Sequence, residues 1–170
     1  MNTPSKQEAM LFPDFHNIYI QDRKFWSRVD APEMMDDSNL SDESAEVTHV
    51  DDSKSKTMIG FHPYSDMHDV SVVAELKDGE PSLESGSWDH IVEASIEIQN
   101  DELEISNGMP GDANIVMNVS PGEYRVRIYF GNLKEESKDA EEGDDHYLVQ
   151  IWSAPFAPIS VVKQWDGFKK

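Results

Sequence analysis

"EYRVRIYF", Glu123–Phe130, alternates without a break: Tyr124, Val126, Ile128 and Phe130 fall on one side of an extended chain, and Arg125, Arg127 and Tyr129 on the other. A period of two, carried by β-branched and aromatic residues, is the pattern of a strand with one face on a core. The same period recurs outward in both directions. In "DVSVVAEL", Val70, Val72, Ala74 and Leu76 oppose Ser71, Val73 and Glu75, and in "IVEASIEI", Val92, Ala94, Ile96 and Ile98 oppose Glu93, Ser95 and Glu97. "ANIVMNV" groups Ile115, Met117 and Val119, and "HYLVQIW" groups Tyr147, Val149 and Ile151 against His146, Leu148, Gln150 and Trp152. Further strands are expected in "FHNIYIQ", "KTMIGFH" and "PISVVKQW".

Turn chemistry separates these runs: "KDGEPS", "QNDE" and "NGMPGDAN" lie between them, and "SPGEY" places Pro121–Gly122 where a type II turn wants them. Strands about every 10–12 residues, punctuated by Gly, Pro, Asn and Asp, predict an all-β, antiparallel sandwich of jelly-roll-like type, with about eight to ten strands. The inward set should include Val70, Val72, Ile96, Ile98, Val126, Ile128, Val149 and Ile151. One domain over residues 1–170 is expected from the length. Two acidic stretches interrupt the pattern: an insert at Asp30–Lys54, with a turn or two of helix near Asp30–Leu40 and a short strand at Val47–Val50, and a loop over residues 134–145.

Charge narrows the function classes. Asp and Glu number 34 against 14 Lys and Arg, a formal net charge of -20. Such a surface repels phosphate backbones and anionic headgroups, so direct nucleic-acid or membrane binding is disfavoured, while a basic protein is attracted. The chain has no cysteine, which removes disulfides, thiolate metal sites and cysteine nucleophiles. No segment approaches the length of a membrane span and the first residues do not form a signal peptide, so a cytoplasmic protein is the simplest expectation.

The densest run of potential ligands is "KEESKDAEEGDDH", Lys134–His146. Its spacing does not match a calcium loop, and the chain has no HExxH, GxSxG, GxGxxG or Walker pattern, so no metal, cofactor or catalytic residue is assigned. Trp26, Trp88, Trp152 and Trp165, with Phe61 and Tyr64, offer the alternative of a carbohydrate-binding sandwich stacking sugars on exposed rings.

At "SWDHIVEASIEI", "MNVSPGEYRVRIYFGNL" and "EEGDDHYLVQIWSAP", the chain resembles the competence protein J family, inhibitors of the DNA-entry nuclease, over roughly residues 88–155. Pro121, Gly122, Tyr124, Gly143, Asp144, Asp145 and Tyr147 match the motif as scaffold positions. The resemblance implies a non-catalytic domain that binds a basic, nuclease-type partner. The expected contact surface is Glu135, Glu136, Asp139, Glu141, Glu142, Asp144 and Asp145, carboxylates standing where phosphates would lie.

Overall fold

The computed structural model describes residues 2–13, 16–26, 48–53, 55–65, 67–108, 114–134 and 143–168. In these residues the chain forms eleven strands: β1 (Ser5–Leu11), β2 (Ile18–Asp22), β3 (Val50–Asp52), β4 (Met58–Phe61), β5 (Val70–Leu76), β6 (His90–Ile98), β7 (Glu102–Ser106), β8 (Ile115–Asn118), β9 (Gly122–Gly131), β10 (His146–Ser153) and β11 (Ser160–Lys163). The helical elements lying wholly within these residues are a single turn, α1 (Arg23–Trp26), and a 3-10 turn at Asp166–Phe168. The helix expected near Asp30–Leu40 lies outside the described residues, and the short strand expected at Val47–Val50 begins at Val50 as β3.

Two sheets face each other, one of six strands in the order β1-β5-β10-β9-β6-β11 and one of five in the order β3-β4-β2-β7-β8. One continuous apolar cluster lies between them, and all eight residues of the expected inward set belong to it. The alternation is visible strand by strand: β5 reads buried, half-buried, buried throughout, because Val70, Val72, Ala74 and Leu76 share the inner face. Period two needs only the pleat, so the face assignment follows from sequence alone.

Two features depart from expectation. β10 pairs β5 in parallel, from His146↔Ser71 to Ile151↔Leu76, inside an otherwise antiparallel sheet. Alternation reports which side a residue faces, not strand direction, so nothing in the pattern could distinguish this pair. Gly122 has φ 155°, far from the value of about 80° of a type II turn, and so opens β9 rather than closing such a turn. The matching Tyr124 is buried, with its hydroxyl donating to the Ser120 carbonyl and accepting from Asn2 Nδ2 at 2.7 Å.

Arg125, Arg127 and Tyr129 point away from the core as expected, yet all three are buried. The segments 81–84 and 157–160 cross that outer face and accept or donate bonds to them: Pro81 O to Arg127 at 3.0 Å, Ala157 O to Arg125 at 2.8 Å, and Glu84 N to the Tyr129 hydroxyl at 3.3 Å.

Ile128 sits at the centre of β9, flanked by Val149 and Val92, with no exposure. Ile128→Ala is expected to lower unfolding free energy by about 2–5 kcal/mol, whereas Val116→Ala on the edge strand β8 should lower it by less than about 1 kcal/mol. Urea unfolding with an unchanged denaturant slope checks this, and equal losses at the two positions would contradict the layered core.

Candidate functional site

The strands that face each other across the core leave most of their chemistry at one end of the sandwich. β9 ends there and β10 begins there, joined by residues 132–145; β5 and β6 begin there, and β3 returns there from the acidic insert. The loop and the returning insert therefore meet the fold at the same end.

The β9–β10 stem is closely fitted. Gly131 pairs His146 as the last rung of the hairpin. A side chain at Gly131 would bring its Cβ within 2.8 Å of His146 Cε1 and 2.9 Å of Trp88 Cε3, so the glycine is what lets these rings close on the stem. The Trp88 and His146 rings are 4.9 Å apart, and the His146 Nδ1–H donates to the Asp144 carbonyl at 3.2 Å. Asn132 then turns the chain out at φ 54°, and the Leu133 amide donates to the Asp89 carboxylate at 2.9 Å.

Asp145 corrects the expected contact surface. It is named there among seven carboxylates, but its side chain has no exposure. Its Oδ1 accepts from Ser65 Oγ at 2.8 Å and its Oδ2 from the Tyr147 hydroxyl at 2.6 Å. His68 Nε2 stands 3.0 Å from Oδ1, at ion-pair distance but without the alignment of a hydrogen bond. The Tyr147 hydroxyl in turn accepts from the Tyr64 amide at 2.9 Å. Burial, and then the Asp145 charge, push the Tyr147 hydroxyl well above its ordinary range, so it stays protonated and keeps donating. This cluster ties the β4–β5 connection to the first residues of β10. Asp145 is thus an interior anchor and not a contact residue.

Asp144 is exposed as expected, 4.0 Å from Lys134 Nζ across the mouth of the loop, a solvent-screened pair. Glu135, Glu136, Asp139, Glu141 and Glu142 lie outside the described residues. Among the described residues, no three His, Asp or Glu side chains converge as a metal site. Phe61, Tyr64 and Trp152 are buried, while Trp88 and Trp165 lean on Tyr129 and Tyr64, so these five rings do not make an exposed stacking platform.

Beside the loop, the insert returns through Thr48 and His49. His90, fully buried, donates from Nε2 to the Thr48 carbonyl at 2.9 Å and accepts at Nδ1 from the Trp165 amide at 3.3 Å. One donor and one acceptor require the neutral ring. Burial lowers the His90 pKa, consistent with that state. The Phe168 ring stacks on His49 at 3.6 Å, so the C-terminal turn closes over the point where the insert rejoins the sheet.

The sequence carried a signal for the buried aspartate. Asp145 has the parity of Tyr147, Val149 and Ile151, the inward face of β10. Extending the alternation by two residues would have placed it inside. Ser65 and His68 sit in a connection with no period, and nothing local marks them.

No family model matches the chain, and no curated protein matches it. Two solved structures share its fold. The crystal structure of ComJ, inhibitor of the DNA degrading activity of NucA, from Bacillus subtilis, is 14% identical, with a TM-score of 0.59 over 88% of this chain and 96% of that one. A structure described as crocagin biosynthetic gene J is 18% identical, with a TM-score of 0.55 over 91% of this chain and 100% of that one. At these identities the likeness shows the fold.

Two outcomes test the site's construction. Tyr147→Phe removes a donor from Asp145 and an acceptor from the Tyr64 amide, both buried, and should destabilise the protein by about 1–3 kcal/mol; a change within a few tenths would contradict the anchor. For His90, the folded pKa lies below the unfolded value of about 6.5. The unfolded chain then takes up a proton that the folded chain refuses. This contribution is complete above about pH 6.5 and is lost as pH falls, by up to about 1.4 kcal/mol per pH unit. His90→Gln keeps one donor and one acceptor, so its stability should decline less between about pH 6.5 and pH 5 than that of the wild type. Parallel curves from chemical denaturation at each pH would contradict the assignment.

Proposed function

We propose that this chain is a non-catalytic protein-binding domain that inhibits a basic, DNA-degrading nuclease by laying an acidic loop into the cleft that would otherwise hold nucleic acid. The observation that carries the proposal is an acidic loop leaving a pinned hairpin stem, on a fold that is also the fold of a nuclease inhibitor. Fold alone does not transfer function, and the charge supplies the second support. A net charge of -20 opposes contact with phosphates and favours a basic surface.

The mechanism follows from electrostatics at a rigid mount. Glu135, Glu136, Asp139, Glu141, Glu142 and Asp144 repel one another in the free protein, held in check by water and salt. A basic cleft relieves that repulsion, so attraction acts at long range and raises the association rate. Because the stem is already ordered, less conformational freedom is lost on binding than for a loop with free ends.

A DNA-degradation assay with a basic nuclease tests this directly. The wild type should inhibit stoichiometrically, and less well as salt rises. Neutralising Glu135, Glu136, Glu141 and Glu142 to Gln, with Asp145 left in place, should slow association about tenfold or more and flatten its salt dependence while the melting temperature holds. Glu141→Gln alone should change binding by less than about 1 kcal/mol. Wild-type association by the quadruple variant would remove the loop from the interface.

A further inference from the structure

Strand register brings exposed apolar side chains to the same end of the six-stranded sheet as the acidic loop. On the outer face, one row runs Met10, Ser71, His146, Gly131, and the next runs Glu8, Val73, Leu148, Tyr129, Ile91. The second row is apolar from Val73 to Ile91 and forms a small cluster of its own with Trp88. Over β9 and β6 that cluster is covered: Glu84 bonds to Tyr129, and the Trp88 ring lies 5.2 Å from the Tyr129 ring. Over β1, β5 and the start of β10 it opens, where Met10 is 55% exposed and Val73 and His146 are half-buried.

The corner continues past the strands. The last rung of the β1–β5 pair is Leu11↔Val70, so Phe12 and Met67 leave the sheet there, 42% and 51% exposed. Three of the six large exposed hydrophobics among the described residues, Met10, Phe12 and Met67, therefore lie within three residues of that last rung. Scattered exposed apolar residues need no explanation, but a group of them does.

Acidic groups rim the corner: Glu8 lies beside Met10 on β1, and Asp69 and Asp144 precede β5 and β10, all three exposed. Among the described residues the nearby cations are themselves matched to carboxylates: Lys6 faces Glu75, and Lys134 lies 4.0 Å from Asp144. A second copy of the chain would bring like charges together, on a molecule of net charge -20. A basic protein would not. We infer that this corner is the apolar centre of the interface with the basic nuclease-type partner, with Met10 and Phe12 as its anchors and Glu8, Asp69 and Asp144 as its rim. The inference rests on the inhibitor function proposed above and assigns it a second, uncharged contact. An apolar centre is desolvated and governs dissociation, whereas rim charges govern association.

The test uses whichever of several purified DNA-degrading nucleases, NucA and a set of basic ones, the full-length wild type inhibits, with rates read by surface plasmon resonance. Met10→Glu and Phe12→Ser alter exposed side chains, so their melting temperatures should match the wild type. Met67→Ser is the substitute for either if it misfolds. Dissociation should quicken by about tenfold or more in both, with the salt slope of association unchanged in the uncharged variant Phe12→Ser. Wild-type dissociation in these variants, with the loop-neutralised protein still impaired, overturns the apolar centre and leaves the inhibitor reading standing. If no nuclease binds the wild type, both fall. If the wild type dimerises in sedimentation and Met10→Glu is monomeric, the corner is a self-contact and the inference is wrong.

Discussion

A carboxylate cut off from water sits where the acidic loop joins the fold, and the geometry of that end depends on it. Burying an ionised aspartate costs several kcal/mol unless its oxygens are satisfied. Asp145 meets that requirement with the Ser65 and Tyr147 hydroxyls and the nearby His68 ring. Since Ser65 follows β4 of one sheet and Tyr147 belongs to β10 of the other, the pairing fixes the two sheets to each other at the loop end. The parallel β5–β10 ladder starts one residue further on, at His146↔Ser71. A run of mutually repelling carboxylates is thus mounted on a stem held from the inside.

The outer face of the six-stranded sheet is organised by a second charge problem. Glu93 accepts from both Arg125 Nε, at 3.3 Å, and Arg127 Nε, at 3.0 Å. The two guanidiniums spend their other donors on Ala157 O, Pro158 O and Pro81 O, and Arg127 lies 5.0 Å over the Trp152 ring. Two consequences follow. The segments crossing this face are held over β9 and β6, which leaves the apolar band open only toward β1 and β5. Two of the few cations are also withdrawn from the surface, alongside the carboxylates Asp22, Asp51 and Asp145, so burial leaves the acidic balance of the exterior about as the composition sets it.

Much of this was legible in the sequence, and the failures have physical causes. Alternation placed the inner faces of β5, β6, β9 and β10 because half-burial of a pleated strand leaves a period of two. β1 escaped notice because Ser5 and Gln7 share the inward parity of Ala9 and Leu11, while Met10 points outward. Its pairing with β5 is made by backbone, which no side-chain pattern records. Asp145 was assigned to the surface because a carboxylate in an acidic run is ordinarily solvated. The two hydroxyls and the imidazole that make its burial possible come from positions far apart in the chain, apart from Tyr147. Long-range satisfaction of a buried charge is not readable from local composition. The aromatic residues show the same limit: Trp152 at a strand end favoured a core edge over a platform, and only the placed sheets put it and Phe61 inside.

Native-state hydrogen exchange tests most directly whether the acidic loop is mounted on a rigid, internally anchored stem. The Tyr64 amide donates to Tyr147 and the Leu133 amide to Asp89, and neither belongs to a strand. If the anchor holds, both should exchange only in openings nearly as costly as those that expose the β9 and β10 ladder amides. If Tyr64 and Leu133 exchange at the rates of open loops while that ladder stays protected, the stem is loose and the buried aspartate does not fix it.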